Sequence, residues 1–267
     1  MNDRIKNSNL VRISETTREI FDSKSRLVSG GKSEKRFNEW LGGLIDGDGS
    51  FKIIRKEYTN CEIIVELKDA KCLYNIKNKL GGSIKLRSGS NSIIYRLHNK
   101  KGMINLVNMV NGNIRNSVRM KEFRKICKLL GIEVIEPKRL TIENGWWSGF
   151  FDGDGMIEIN IKNGDPQLSI SVRNKNLIDI EDYKRIFGGS IYFDTSQNGY
   201  YKWIISSKKE VLNYVDYIKR YPSRTTKFNK LMLCNKYYEL KDLKCYKSEL
   251  EVQKKAWLKL LEKWNSP

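Results

Sequence analysis

Hydrophobic and polar positions fall into two periods along this chain, and each period occurs twice. The run WLGGLIDGDGSF at 40–51 is apolar and helix-like until it ends in Asp-Gly-Asp-Gly, and WWSGFFDGDGMI at 146–157 does the same. In the second copy the next segment alternates strictly. Ile157, Ile159 and Ile161 point one way and Glu158, Asn160 and Lys162 the other, the period of a strand with one buried face. The same reasoning predicts strands over 50–57, 61–68, 83–87 and 92–98, with partners at 156–162, 167–174, 190–194 and 200–206. Helices are predicted over 70–80, 101–110 and 117–130, and again over 177–187, 208–219 and 226–240. The glycine pairs Gly81-Gly82 and Gly188-Gly189 suit the ends of the 70–80 and 177–187 helices.

These patterns are a duplication. The Trp-to-DGDG segments lie 106 residues apart, VELKDAKCLYNIKNKLGGSIK from Val65 parallels VRNKNLIDIEDYKRIFGGSIY from Val172 at 107, and Tyr95 parallels Tyr201 at 106. The predicted fold class is therefore α+β: two pseudo-symmetric α-β-β-α-β-β-α halves, each with an antiparallel sheet. The halves are expected at 36–133 and 142–247, joined by a linker over 134–141 that carries Pro137. Residues 1–35 read as a polar, flexible extension, and 248–267 as a C-terminal helix with Trp257, Leu261 and Trp264 on one face.

Composition adds a partner. Fifty Lys and Arg against 31 Asp and Glu leave a net charge of +19, which points to a polyanion such as nucleic acid. No apolar run of about 20 residues suggests a membrane span, so no membrane partner is expected. Five cysteines without a C-x-x-C spacing read as reduced, intracellular thiols. The single histidine, His98, excludes histidine-pair chemistry, so any metal must rest on oxygen ligands, which suit Mg²⁺, Mn²⁺ or Ca²⁺.

The DGDG ends carry the candidate chemistry. Glycine inside a helix costs about 1 kcal/mol relative to alanine unless it permits a close approach. Gly42-Gly43 and Ser148-Gly149 occupy matching places, so the two motif helices are expected side by side, with both acidic ends together. Clustered carboxylates repel unless a divalent cation neutralises them. An EF-hand loop is excluded, because its sixth position, counted from Asp46, is Phe51 rather than glycine.

L41-G-G-L-I-D-G-D-G49 and W147-S-G-F-F-D-G-D-G155 resemble the paired motifs of a monomeric LAGLIDADG homing endonuclease, and the resemblance extends over about 37–247. The second motif departs at Ser148, Phe150 and Phe151 but keeps both aspartates. The resemblance implies site-specific double-strand cleavage of DNA by metal-dependent phosphodiester hydrolysis, or RNA maturase activity on a group I intron, or both. It places Asp48 and Asp154 as catalytic metal ligands for Mg²⁺, completed by the Gly47 and Gly153 carbonyls. It leaves Asp46 and Asp152 to stabilise the helix junction. Lys227, five residues past Pro222, matches the family's basic helper, and Asn174 its polar residue beside the reacting water. The aligned first-half places, around Asn116-Ser117 and at Leu67, hold neither. The Lys-, Asn- and Ile-rich wording is similar to organellar intron-encoded members, which implies a mitochondrial or other organellar setting.

Strands of about ten residues span about 33 Å, so two sheets would cover a duplex of about 20 base pairs. Alternation nominates Lys52, Lys56, Glu158, Asn160, Lys162, Ser169, Ser171 and Arg173 for DNA contact. Lys85, Arg87, Arg96, Tyr192 and Lys202 are added from the outer strands. His98 falls at a strand end with no catalytic task.

Overall fold

The computed structural model describes residues 15–266, with side chains described from Gly31 onward. The first part of the extension expected over 1–35, residues 1–14, lies outside the described residues. Two sets of like elements follow one another. The first contains α1 (Glu15–Asp48), β1 (Gly49–Ile54), β2 (Tyr58–Glu66), α2 (Ala70–Leu80), β3 (Ser83–Leu86), β4 (Ser92–Leu97), α3 (Lys100–Val110) and α4 (Ser117–Leu130). The second contains α5 (Trp146–Asp154), β5 (Gly155–Lys162), β6 (Asp165–Asn174), α6 (Glu181–Phe187), β7 (Ser190–Asp194), β8 (Tyr200–Ile205), α7 (Lys208–Arg220) and α8 (Lys227–Asp242), with α9 (Glu251–Asn265) added. Each sheet is antiparallel, in the orders β1-β2-β4-β3 and β5-β6-β8-β7. The stretch 131–145 between the halves holds no helix or strand.

Several boundaries differ from the sequence reading. Helix α1 begins upstream of the apolar run, so the motif helix extends back through part of the stretch assigned to the extension. Lys56 is not a strand residue: it sits with Arg55 in the β1–β2 turn, both with positive φ. Arg87 lies just past the end of β3. Helix α6 is shorter than 177–187, because Leu177–Asp179 form a separate 3-10 turn.

The ladders also correct the internal alignment. Ile84 pairs with Tyr95, and its repeat Ile191 pairs with Trp203, so Trp203, not Tyr201, is the counterpart of Tyr95. Both rings are fully buried. Likewise Gly49 pairs with Ile63 and Gly155 with Val172, because the second hairpin is longer. Asn174 is two residues past Val172, which makes Val65 its ladder counterpart rather than Leu67. Either way the first half has an apolar side chain there.

Two hydrophobic cores form, one on each sheet's helix-facing side. The first gathers Leu41, Leu44, Ile63, Tyr95, Leu106 and Phe123; the second gathers Phe151, Val172, Tyr183, Trp203, Tyr214 and Tyr237. Helix α9 closes the second with Trp257, Leu260 and Trp264 buried.

Helices α1 and α5 join the halves at backbone contact. A Cβ added to Gly43 would stand 2.1 Å from the Trp146 carbonyl oxygen, and one on Gly149 would stand 1.9 Å from that of Trp40. The clashes are reciprocal, as a two-fold relation requires. Gly42 is different: its added Cβ would meet Asn113 of its own half, so one small residue per helix serves the interface and the other serves local packing. At the acidic ends, a Cβ on Gly47 would lie 3.1 Å from the Gly153 Cα, and one on Gly153 3.0 Å from the Gly47 Cα.

Gly149→Ala is predicted to destabilise the protein by about 3 kcal/mol or more, at the top of the overpacking range, because backbone cannot yield to a methyl group. Gly31, in the same helix as Gly43 and with nothing within 4 Å of an added Cβ, is the control. Gly31→Ala should add about 0.5–1 kcal/mol from helix propensity. Urea unfolding of both variants measures the contrast.

Candidate active site

The first aspartate of each motif locks the helix pair. Asp46 is buried and its Oδ2 accepts the Trp146 indole N–H at 2.8 Å and the Arg115 amide at 2.7 Å. Asp152 is buried and its Oδ2 accepts the Trp40 indole at 2.8 Å and the Arg224 amide at 2.8 Å. Each carboxylate thus reaches across the interface to the tryptophan that opens the opposite motif, and back to the loop that closes its own half. Asp152 takes two further donors on Oδ1, the Ser223 hydroxyl and the Thr225 hydroxyl, the latter at 2.6 Å. Burial raises the carboxyl of Asp46 to about 7 and that of Asp152 above its ordinary value. These contacts occupy Asp46 and Asp152 in holding the junction.

The second aspartate of each motif points elsewhere. Asp48 and Asp154 end α1 and α5, are half-buried, and take no backbone N–H among the described residues. Burial and then the neighbouring Asp154 charge raise Asp48 to about 7, with Lys227 opposing. Burial raises Asp154 to about 6, opposed by Lys227, Asn174 and Arg119. Two carboxyls that each disfavour ionisation, with open coordination sites, are a place where a bound cation relieves strain in the charge balance.

The residues expected around them converge in part. Lys227 opens α8 and its Nζ lies 2.9, 2.7 and 3.0 Å from the carbonyl oxygens of Phe151, Asp152 and Gly153. Burial lowers its ammonium from the usual lysine value. Asn174, at the end of β6, brings its amide Nδ2 to 3.5 Å from Asp154 Oδ2. Gly47 and Gly153 meet at the helix crossing. Among the described residues no three His, Cys, Asp or Glu side chains converge on one point. A cation here would be held by two carboxylates and backbone carbonyls, with its other positions left to water or phosphate oxygen, an arrangement suited to Mg²⁺.

Sequence reasoning missed three residues. Asp69 accepts the Thr226 amide at 2.6 Å, and Asp179 accepts the Ser117 amide at 2.7 Å and its hydroxyl at 2.9 Å. Each half therefore fixes the start of the other half's helix, α8 or α4. This pairing matches Ser117 with Thr226, and so Val118 with Lys227. The third is Arg119, one residue on, which lines a cavity of about 370 Å³ together with Asp154, Asn174, Asn116 and Gly47. The only sequence signal for it was a cation in the first turn of a predicted helix.

Most DNA-contact candidates share the sheet faces turned away from the helices. Lys52, Glu62, Arg96 and Lys85 line one, joined by Lys52–Glu62 and Arg96–Glu62 ion pairs at 3.0 and 2.7 Å. Glu158, Asn160, Lys162, Arg173, Tyr192 and Lys202 line the other. Arg173 is braced by the Tyr200 ring at 5.2 Å. Ser169 and Ser171 share that face but are buried, Ser171 to 1% exposure, so they form its floor rather than its contact surface. Alternation identifies a face and says nothing of what neighbours cover it.

A duplicated α+β frame with two carboxylates at a central helix crossing and basic sheets on either side defines the class. Residues 41–130 and 147–238 each match the LAGLIDADG endonuclease family, and the chain belongs to that family. It is 52% identical over 249 residues to the probable intron-encoded endonuclease aI2 of Debaryomyces hansenii, which covers 87% of this chain and 38% of that relative. It is also 52% identical over 241 residues to the intron-encoded RNA maturase bI4 of Saccharomyces cerevisiae, covering 88% of this chain and 37% of that relative. The chain thus spans less than two-fifths of either relative's length. The solved structure of the I-LtrWI LAGLIDADG homing endonuclease bound to target DNA has a TM-score of 0.69 and 17% identity, over 87% of this chain and 97% of that one. The fold is shared at that distance.

Asp152→Asn is predicted to destabilise the protein by about 1–3 kcal/mol, because both its oxygens accept and an amide NH₂ cannot. Asp46→Asn should cost less: the Trp146 indole and the Arg115 amide share Oδ2, which an asparagine oxygen replaces while removing a buried charge. Thermal melts of the pair test the difference.

Proposed function

We propose that this chain is a site-specific DNA endonuclease that hydrolyses one phosphodiester in each strand of a long duplex site. The observation that carries the reading is the meeting of Asp48 and Asp154 at the crossing of α1 and α5, between two basic sheet faces. Both halves lie in one chain, so a monomer presents two strand-cutting positions. Asp48 and Asp154, with the Gly47 and Gly153 carbonyls, would hold divalent cations, taken as Mg²⁺. Bound there, such cations supply activation of water and neutralisation of the leaving oxygen.

The chain's own groups do the rest. Asn174 orients the Asp154 carboxylate and offers an amide to a water beside it. Lys227 places a positive charge against the second motif's end, and Arg119 places one in the cavity that Asp154 shares with the first half. Lys52, Lys56, Lys85, Arg87, Arg96, Lys162, Arg173 and Lys202 attract the phosphates, and Asn160, Glu158 and Tyr192 reach base edges. The intron-encoded origin of the relatives supports an organellar setting. Among the described residues no helix is long and apolar enough to cross a membrane.

Cleavage selection from a randomised duplex pool with Mg²⁺ identifies the site. On that site, Asp48→Asn or Asp154→Asn should reduce double-strand cleavage by about 10³-fold or more, with binding retained in a gel shift. Undiminished cleavage by the double variant overturns the assignment.

A second reading, assistance to folding of a group I intron RNA, is favoured by a separate feature. A cavity of about 370 Å³ lined by Lys32, Arg36, Trp40, Tyr221 and Arg224 lies toward the start of the motif helices, away from Asp48 and Asp154. Arg36 is 12 residues before Asp48 in α1, about 18 Å up the helix. Its guanidinium lies 4.9 Å from the Tyr221 ring, and that of Arg224 4.9 Å from Trp40. Cations held over aromatic rings suit binding of unpaired RNA bases and phosphate. Arg36→Glu should weaken intron-RNA binding in a filter assay while leaving duplex cleavage unchanged. Equal RNA affinity for the variant removes this surface from the reading.

A further inference from the structure

The two ends of the helix pair differ in a respect that the pseudo-symmetry conceals. At the end of α5, the Lys227 ammonium bonds three successive carbonyls, those of Phe151, Asp152 and Gly153, at 2.7–3.0 Å. A helix C-terminus leaves its last carbonyls without amide partners and carries partial negative charge, so a cation there is favourable. The matching carbonyls at the end of α1 belong to Ile45, Asp46 and Gly47. The position that corresponds to Lys227, fixed by the reciprocal caps on Ser117 and Thr226, is Val118. Neither nearby guanidinium bonds these carbonyls, although Arg119 lines the cavity that Gly47 and Asp154 share. Arg119 donates to Glu122 Oε1 at 2.8 Å, and Arg115 donates to the Lys138 carbonyl at 2.7 Å.

We propose that Lys227 is a resident cation that competes with a divalent metal at the Gly153 carbonyl, so that the chain binds metal unequally: tightly on the Gly47 side, weakly on the Gly153 side. This rests on the reading of Asp48 and Asp154 as metal ligands. The Gly153 oxygen is the shared group. An ammonium 3.0 Å from it stands within a few ångströms of any ion on its second lone pair, and like charges at that range in a half-buried site repel strongly. For the weaker ion to enter, the lysine must leave its three carbonyls. On the Gly47 side no ammonium has to move. The inequality belongs to the helix ends and to one residue of α8, and it exists before DNA binds.

Terbium(III), a hard oxygen-seeking probe that reports through sensitised luminescence from the nearby Trp40 and Trp146, tests this on the whole chain without any cleavage. The wild-type isotherm should require two affinities separated by about tenfold or more, the scale of a neighbouring like charge. Lys227→Met should tighten the weaker phase and bring the two together. Val118→Lys, at a partly exposed position that tolerates a longer side chain, should weaken the tighter phase. An unchanged isotherm for Lys227→Met overturns the competition. If Lys227→Met fails to fold, as circular dichroism will show, an unchanged tighter phase in Val118→Lys overturns it instead. Failure of wild-type protein to bind the probe with any phase that Asp48→Asn removes overturns the metal reading itself.

Discussion

The close approach of two backbones at Gly43 and Gly149 is the constraint on which the remaining structure depends. With about 2 Å between a would-be Cβ and the facing carbonyl oxygen, the helices cannot slide or rotate without collision. Their C-terminal ends are thereby fixed against each other, and with them Asp48 and Asp154. The sheets begin directly at Gly49 and Gly155, the next residues, so the same crossing sets the relation of the two basic faces. One contact between glycines thus determines both where the two candidate carboxylates lie and how the basic faces are set about them.

That contact is supported by exchanges across the interface that burial makes strong. Indole-to-carboxylate bonds run from Trp146 to Asp46 and from Trp40 to Asp152, and side-chain caps run from Asp69 to α8 and from Asp179 to α4. Each donor lies in one half and each acceptor in the other. Buried carboxylates left without such donors would be costly, so neither half keeps its polar groups satisfied alone. The halves therefore read as one cooperative unit despite having separate hydrophobic cores.

Much of this was legible in the sequence, for identifiable reasons. A repeat at a spacing of 106–107 residues and strict alternation in Met156–Lys162 disclose two antiparallel sheets, because burial on one face imposes the period of two. The DGDG ends disclosed the aspartates for the same reason: carboxylates beside apolar helix require compensation. What stayed hidden depends on distances that no period encodes. The hairpin between β5 and β6 is longer than that between β1 and β2, so direct alignment set Asn174 against Leu67 where the ladder gives Val65. Ser171 alternates correctly yet is buried, because coverage by neighbours is a tertiary fact. Arg119 came into the site only because Asp179, from the other half, fixes the start of α4.

The frame is more symmetric than the chemistry it holds. Each interface contact discussed above has a partner, whereas Lys227 corresponds to Val118 and Asn174 to Val65, and Asp152 takes two more side-chain donors than Asp46. Duplication explains both halves of that contrast. A contact on the axis involves both copies at once, so a change in one is opposed by the other: a methyl group on Gly149 collides whatever residue 43 is. A group off the axis meets only its own surroundings and diverges freely. On the proposed reading, two cuts in one duplex require only that each site work, not that the two work alike. The persistence of glycine, tryptophan and aspartate in both motifs, beside the divergence of their helpers, is therefore what the geometry itself permits.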